Sequence, residues 1–159
     1  MAAITSLTPA LAVAGALTAA DFEEIARQGF KTVINNRPDA EEPGQLTARE
    51  EAALARRAGL VYQHVPAAKH EVLDDHVLEP MADALAQASG PVLLHCRSGL
   101  RSTMMWAAVS VETGASLSEV LAIAKAAGFD LDIVKDEIAQ RAGNRPTNAA
   151  KRPPQQAAA

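Results

Sequence analysis

The sequence predicts an α/β domain: a mainly parallel sheet of four to five strands flanked by about six helices. Three observations carry this expectation. Short apolar runs alternate with helix-period segments along the chain, the pattern of a parallel sheet covered on both faces. The 159 residues make one domain and little more. Apolar residues form 48% of the chain, but nearly half of these are Ala, and only Phe22, Phe30, Tyr62, Trp106 and Phe129 are aromatic. Ala loses almost no side-chain entropy in a helix, so this composition favours helices packed closely on a sheet. It speaks against an all-β sandwich, which draws on β-branched and aromatic residues.

A first strand is expected at Leu11–Ala14. Thr18 then caps a helix with Asp21 as its capping-box partner. Phe22, Ile25 and Ala26 form that helix's apolar face, and Gly29 ends it. Thr32–Ile34 is a short buried strand, followed by the loop Asn35-Asn-Arg-Pro-Asp39. Thr47 and Glu50 form a second capping box, whose helix stops at Gly59. Val61–Val65 is the next strand. Asp74 or Asp75 opens a helix with Val77, Leu78, Met81 and Leu85 on one face. Gly90-Pro91 breaks the chain before the strand Val92–His95. A glycine-containing loop leads into a helix from about Arg101 to Thr113. Ser116 and Glu119 form a third capping box, with Gly128 closing the helix, and Asp130 opens a last helix ended by Gly143. The chain thus reads as one domain over residues 1–143. Residues 144–159, rich in Pro and Ala with basic charges, have too little to bury and are expected to be a disordered tail.

Net charge is −4. Arg141, Arg145, Lys151 and Arg152 face no acid beyond residue 140, which leaves the body at −8. An acidic body matches a nucleic-acid backbone poorly, so no nucleic-acid partner is expected. No apolar run approaches the ~18 residues of a membrane span. No Lys or Arg precedes Arg27, so the segment around Leu11 lacks the basic start of a signal peptide. The expectation is a cytoplasmic protein with no membrane partner. Oligomeric state is left open. Cys96 is the single cysteine, which excludes an intramolecular disulfide. His64, His70 and His76 fit no common zinc spacing, and neither metal nor cofactor is expected.

The chemistry gathers around that cysteine. The segment reads Val92-Leu-Leu-His-Cys-Arg-Ser-Gly-Leu-Arg-Ser-Thr103. A thiol at the end of a buried strand is followed by a tight loop through Gly99 and a helix start at Arg101-Ser102. Ligands in such sheets bind beyond the carboxyl ends of the strands. The successive amides of such a loop form an anion-binding nest, and the helix N-terminus adds its positive end. Arg97 and Arg101 add two permanent charges, a setting that favours the thiolate nucleophile. Arg101 closes the loop and is expected to face the anion. Arg97 is equally suited to the anion or to solvent. Ser98, Gly99 and Leu100 complete the anion loop. His95 is expected to support the loop and the thiolate by hydrogen bonding.

The segment His95-Cys-Arg-Ser-Gly-Leu-Arg-Ser102 resembles the active-site signature of the cysteine-dependent protein phosphatases, in the dual-specificity form HC-x-x-G-x-x-RS but shorter by one residue. More widely, residues 7–115 resemble a bacterial family, the phosphatase-like domain of beta-lactamase hydrolase-like proteins. Gly29-Phe-Lys-Thr-Val-Ile-Asn-Asn-Arg-Pro-Asp39, Glu41-Glu42, Gly59 and Val65-Pro66 carry that resemblance. It implies a dual-specificity-phosphatase-like fold, and attack of Cys96 on phosphorus to form a phosphocysteine. It implies phosphoryl oxygens held by the loop amides and Arg101, and Ser102 hydrogen-bonding the leaving thiolate. Arg37 of the Asn-Arg-Pro-Asp loop would support the site.

Two departures stand beside the resemblance. The C-x4-R spacing matches the rhodanese loop of sulfurtransferases, whose cysteine carries a persulfide. The general acid of the phosphatase pattern falls near position 69, which is Lys69 here. Asp39 is the alternative acid, or a turn residue after Pro38. A missing acid predicts slow turnover, since such an acid contributes about 10²–10⁴-fold. Three readings follow: a phosphatase-like hydrolase, a sulfurtransferase or persulfide carrier, and a non-catalytic anion-binding module. All three take an anionic partner containing phosphate or sulfur. After Thr113 the chain reads helix upon helix with no returning strand, which is the phosphatase layout rather than the rhodanese one. The shortage of aromatics predicts a shallow site.

Overall fold

A computed structural model describes residues 1–144. The expected tail lies outside the described residues except for Asn144. The elements in order are β1 (Ile4–Thr8), β2 (Leu11–Ala14), α1 (Asp21–Arg27), β3 (Thr32–Asn35), α2 (Ala48–Arg57) and β4 (Val61–His64). They continue with α3 (Asp75–Gln87), β5 (Val92–His95), α4 (Leu100–Glu112), α5 (Leu117–Ala126) and a 3₁₀ turn (Asp132–Val134) leading into α6 (Lys135–Ala139). The five strands lie in the order β1-β2-β5-β3-β4. Four are parallel, and β1 pairs antiparallel with β2 at one edge. The sheet is therefore mixed. No helix among the described residues is long and apolar enough to cross a membrane.

The central strands explain the uniformly apolar runs in the sequence. Every residue of β3 and β5 is buried, because helices cover both faces. Alternation then divides the side chains. Ala12, Val33 and Leu93 face α1 and α2, where they meet Phe22, Ile25 and Ala55. Val13, Ile34 and Leu94 face the larger layer of α3 to α6, with Met81, Met105, Val120 and Ile138. Leu93 and Leu94 are fully enclosed, each contributing about 1.5–3 kcal/mol by burial. The small alanines of α4, Ala107 and Ala108, are also sealed and let that helix lie close to its neighbours.

The sequence reading missed β1. Its residues Ile-Thr-Ser-Leu-Thr mix polar and apolar positions, as an edge strand can, so no apolar run marks it. Thr18 does not cap α1. The helix begins at Asp21, whose carboxylate instead accepts from the Thr18 N–H at 2.7 Å and the Thr18 hydroxyl at 3.0 Å. The Thr47–Glu50 box forms with both hydrogen bonds. At α5, Ser116 accepts from the Glu119 N–H at 3.4 Å. The last helix is shorter than the span from Asp130 to Gly143: Asp130 accepts from the Asp132 N–H at 2.9 Å, and a 3₁₀ turn, Asp132–Val134, precedes α6.

One row of the sheet positions the site. Ala14, His95, Asn35 and His64 stand in register across β2, β5, β3 and β4. The segments that leave this row are the β2–α1, β5–α4, β3–α2 and β4–α3 connections, and they converge at the carboxyl edge.

Candidate active site

The loop after β5 is held from several sides. The Cys96 N–H donates to the Ala14 carbonyl at 3.4 Å, the Ala16 N–H donates to the Arg97 carbonyl at 3.1 Å, and the Asn36 N–H donates to the His95 carbonyl at 2.8 Å. The chain then turns at Gly99 with φ +94°, a left-handed conformation that favours Gly. A Cβ there would stand 3.0 Å from the Phe129 ring. The Gly99 N–H donates to Cys96 Sγ at 3.1 Å, so the loop closes on its own thiol. Cys96 is 1% exposed.

The charges around this loop form a connected ladder. The Arg101 guanidinium meets Glu41 end-on, Nη1 to Oε2 at 2.9 Å and Nη2 to Oε1 at 3.2 Å. Its second Nη1 proton goes to the Ala67 carbonyl at 2.7 Å. Glu41 Oε1 also accepts from Arg37 Nε at 3.0 Å, and Arg37 Nη2 donates to Glu42 at 2.8 Å. Glu42 in turn pairs with Arg97 at 2.6 Å. The ladder thus starts at Arg101 and ends at Arg97, both on the β5–α4 segment, and passes through the loop after β3. Burial pushes the Glu41 carboxyl up, but its hydrogen bonds and charge pairing with Arg101 and Arg37 outweigh that and hold it below the usual range. Arg37 and Arg101 are buried, while the Arg97 side chain is 53% exposed.

Below the loop lies a polar network. His95 Nε2 donates to Glu51 at 2.7 Å, and its Nδ1 lies 3.3 Å from the Cys96 carbonyl oxygen. The His95 ring is therefore held by Glu51 and lies beside the loop backbone, not hydrogen-bonded to the thiol as the sequence reading had it. Asn35 donates to Glu51 at 3.3 Å and to the Tyr62 hydroxyl at 2.9 Å. Burial and the Glu51 charge push the Tyr62 phenol well above its usual range. Ser102 donates its one proton to Asn36 Oδ1 at 2.8 Å, and Asn36 donates to the Val65 carbonyl at 3.0 Å. Its hydroxyl proton is thus committed away from the thiol in this state. Asp39 accepts from the Ala48 N–H at 2.8 Å. It sits at the start of α2, where a carboxylate suits the helix N-terminus, and does not line the cavity at Cys96.

That cavity has a volume of about 490 Å³. One wall is Cys96, Arg97, Ser98, Leu100, Arg101 and Met104, and the other is Lys69 and Val72. The structure thus brings together five of the expected residues. Arg37 stays behind the wall as a link in the ladder, and Gly99 shapes the loop. No aromatic side chain lines the space, and no Asp, Glu or His does so among the described residues. Glu41, Glu42 and Glu51 were not singled out as site residues from the sequence. Only the resemblance of the Glu41-Glu42 segment hinted at two of them, because Arg101, Arg97 and His95, which they hold, lie far along the chain. At the start of α3, Glu71, Asp74 and His76 bring potential ligand atoms within 4.8 Å of one another. The Glu71 carboxylate there is engaged by the Ala68 N–H and His76.

A mixed, mainly parallel sheet whose central strand leads through a loop with Cys96 and Gly99 to Arg101 on the first turn of a helix has the layout of a cysteine-phosphatase-like domain. Comparison with known proteins agrees. Residues 3–113 match the family described as "Beta-lactamase hydrolase-like protein, phosphatase-like domain", and the chain belongs to that family. A beta-lactamase hydrolase-like protein of Xylella fastidiosa is 39% identical over 129 residues, which cover 80% of this chain. The same stretch spans only 30% of the Xylella protein. A candidate phosphatase from Neisseria meningitidis superposes with a TM-score of 0.76 at 32% identity, covering 87% of this chain and 97% of that one. Tk-PTP in its active form shares the fold, with a TM-score of 0.63 at 21% identity, covering 89% and 97% of the two chains.

Proposed function

We propose that this chain is a cysteine-dependent phosphatase that hydrolyses phosphate compounds through Cys96. The observation that carries the reading is the free edge of Arg101. A guanidinium has five N–H donors. Glu41 and Ala67 take both protons of Nη1 and one of Nη2. The Nε–H and the second Nη2–H remain without partners among the described residues, as a parallel pair suited to two phosphoryl oxygens. Cys96 and Ser98 line the same cavity, and the loop amides add anion-binding donors.

In this reading the Cys96 thiolate attacks phosphorus, the leaving oxygen departs, and water then releases phosphate from the phosphocysteine. Arg101 and the amides hold the charge that develops on the equatorial oxygens. No carboxylic acid lines the cavity, so turnover of ordinary esters is slow. Aryl phosphates, with good leaving groups, are the fair assay. Their hydrolysis by the wild type, lost in Cys96→Ser, supports the proposal.

The four-residue spacing between Cys96 and Arg101 favours a second reading, a sulfurtransferase or persulfide carrier on the same thiolate. Thiosulfate:cyanide sulfur transfer without phosphate turnover would establish that reading in place of the first. Absence of both, with phosphate still protecting Cys96 from alkylation, leaves a binding module.

A further inference from the structure

Lys69 holds an unusual place in the cavity. Arg101 pairs with Glu41, and Arg97 with Glu42, both carboxylates being shared with Arg37. Lys69 lines the same space and has neither an ion pair nor a hydrogen bond from its side chain among the described residues. Its segment is fixed close to the reacting groups, since the Ala67 carbonyl accepts from Arg101 at 2.7 Å and the Ala67 N–H donates to Asn36 at 3.0 Å. The cavity therefore presents one lysine ammonium with no carboxylate partner, and no carboxylic or imidazole side chain in its lining, among the described residues.

That combination has a chemical consequence. An alkyl phosphate expels a strongly basic oxygen, which needs a proton as it leaves. A leaving group that is itself a phosphate needs none, because phosphate is already largely ionised near neutrality, with a second pKa of about 6. It needs its growing negative charge paired, and an ammonium group does this with three donors. Such pairing strengthens as the bond breaks, so it acts on the transition state.

We propose that Lys69 makes the site selective for phosphoanhydrides, compounds in which one phosphoryl group is joined to another through oxygen. This rests on the hydrolytic reading of Cys96 given above. Cys96 Sγ attacks the terminal phosphorus and forms an S–P bond. The anhydride P–O bond breaks, and its electron pair stays on the bridging oxygen, which departs as an anionic phosphate beside the Lys69 ammonium with no proton transferred. Water then attacks the phosphocysteine. A P–O bond forms, the S–P bond breaks, the thiolate is restored, and the proton of water passes to solvent. Nothing is oxidised or reduced. Lys69 acts here as a specificity residue.

The test compares kcat/KM for tripolyphosphate, p-nitrophenyl phosphate and glycerol 2-phosphate, with EDTA present to keep the polyanion free of metal. Wild type, Lys69→Met, Lys69→Asp and Cys96→Ser are assayed. Wild type is expected to favour tripolyphosphate over glycerol 2-phosphate by about 10-fold or more. This is below the 10²–10³ of a buried donor because Lys69 is exposed. The ratio of these two constants should fall from wild type to Lys69→Met and again to Lys69→Asp, which supplies an acid where the ammonium stood. Because Lys69 is on the surface, the variants should fold, and circular dichroism checks this. A ratio unmoved by both substitutions, or no preference for tripolyphosphate beside Cys96-dependent p-nitrophenyl phosphate turnover, overturns the selectivity and leaves the hydrolytic reading standing. No Cys96-dependent turnover of any of the three overturns both.

Discussion

Glu41 takes the end of the Arg101 guanidinium and leaves its side edge open. The two residues are 60 positions apart, one in the loop after β3 and the other on the first turn of α4. Their bidentate contact, with Glu41 shared by Arg37, sets the plane of the Arg101 guanidinium. The ladder then continues through Glu42 to Arg97, so the loop after β3 and the cysteine loop hold each other in place.

Replacing Glu41 should therefore disturb orientation rather than charge alone. Glu41→Gln is expected to lower kcat/KM for aryl phosphate by about 10-fold, since misplacing a catalytic group by about an ångström can cost 10²-fold. Steady-state kinetics measure it, and an unchanged constant would mean Arg101 needs no such hold.

The same pair gives a pH dependence of stability. Glu41 in the folded chain lies below its ordinary value of 4.5, so its contribution is present above that pH and is lost as pH falls through the folded value. Urea denaturation at a series of pH values should show wild type and Glu41→Gln converging below about pH 4.5. Curves that stay parallel would contradict it.

Two glycines support the loop in different ways. Gly99→Ala puts a side chain at φ +94° and 3.0 Å from Phe129, with an expected loss of about 1–3 kcal/mol. At Gly15 a Cβ would lie 2.9 Å from the Arg97 carbonyl oxygen, so Gly15→Ala must push the cysteine loop. Its expected signature is reduced turnover with a smaller change in the denaturation midpoint than Gly99→Ala produces.

Glu51 joins His95, Asn35 and, electrostatically, Tyr62. Glu51→Ala leaves buried N–H donors of His95 and Asn35 without their acceptor, an expected loss of about 2–6 kcal/mol at about 1–3 kcal/mol for each. Tyr62 is the only tyrosine, so its ionisation can be followed by ultraviolet absorbance. Burial and then Glu51 hold its phenol above the ordinary value of 10.0. The unfolded chain ionises first, so stability should fall as pH rises above about 10. Glu51→Gln should bring the absorbance midpoint down, and an unmoved midpoint would remove Glu51 as a cause.

The buried Ser102–Asn36 hydrogen bond has a smaller expected effect. Ser102→Ala should cost about 0.5–1.5 kcal/mol, read by urea denaturation. Loss of turnover far beyond that destabilisation would mean that the hydroxyl also serves the reaction.

Much of the fold was legible because its signals are local. The apolar runs of β3 and β5, the Thr47–Glu50 box and the stop at Gly59 each depend on a few neighbouring residues. The strand-loop-helix around Cys96 was legible for the same reason, since cysteine, glycine and arginine lie within six positions. The half-polar β1 carried no such local signal, and Asp21 met Thr18 without making a cap of it.

By itself, then, the sequence determined the layered α/β class and the strand-loop-helix that carries Cys96 and Arg101, because these follow from periodicity and short spacings. Only the tertiary structure decided that Glu41 grips Arg101, that Glu51 holds the His95 ring, that Asp39 accepts from the first N–H of α2, and that Lys69 lines the cavity of Cys96 with no side-chain partner among the described residues. Those are choices of partner between residues far apart in the chain. They are set by which loops the register of the sheet brings to one edge, and spacing along the sequence carries no record of that.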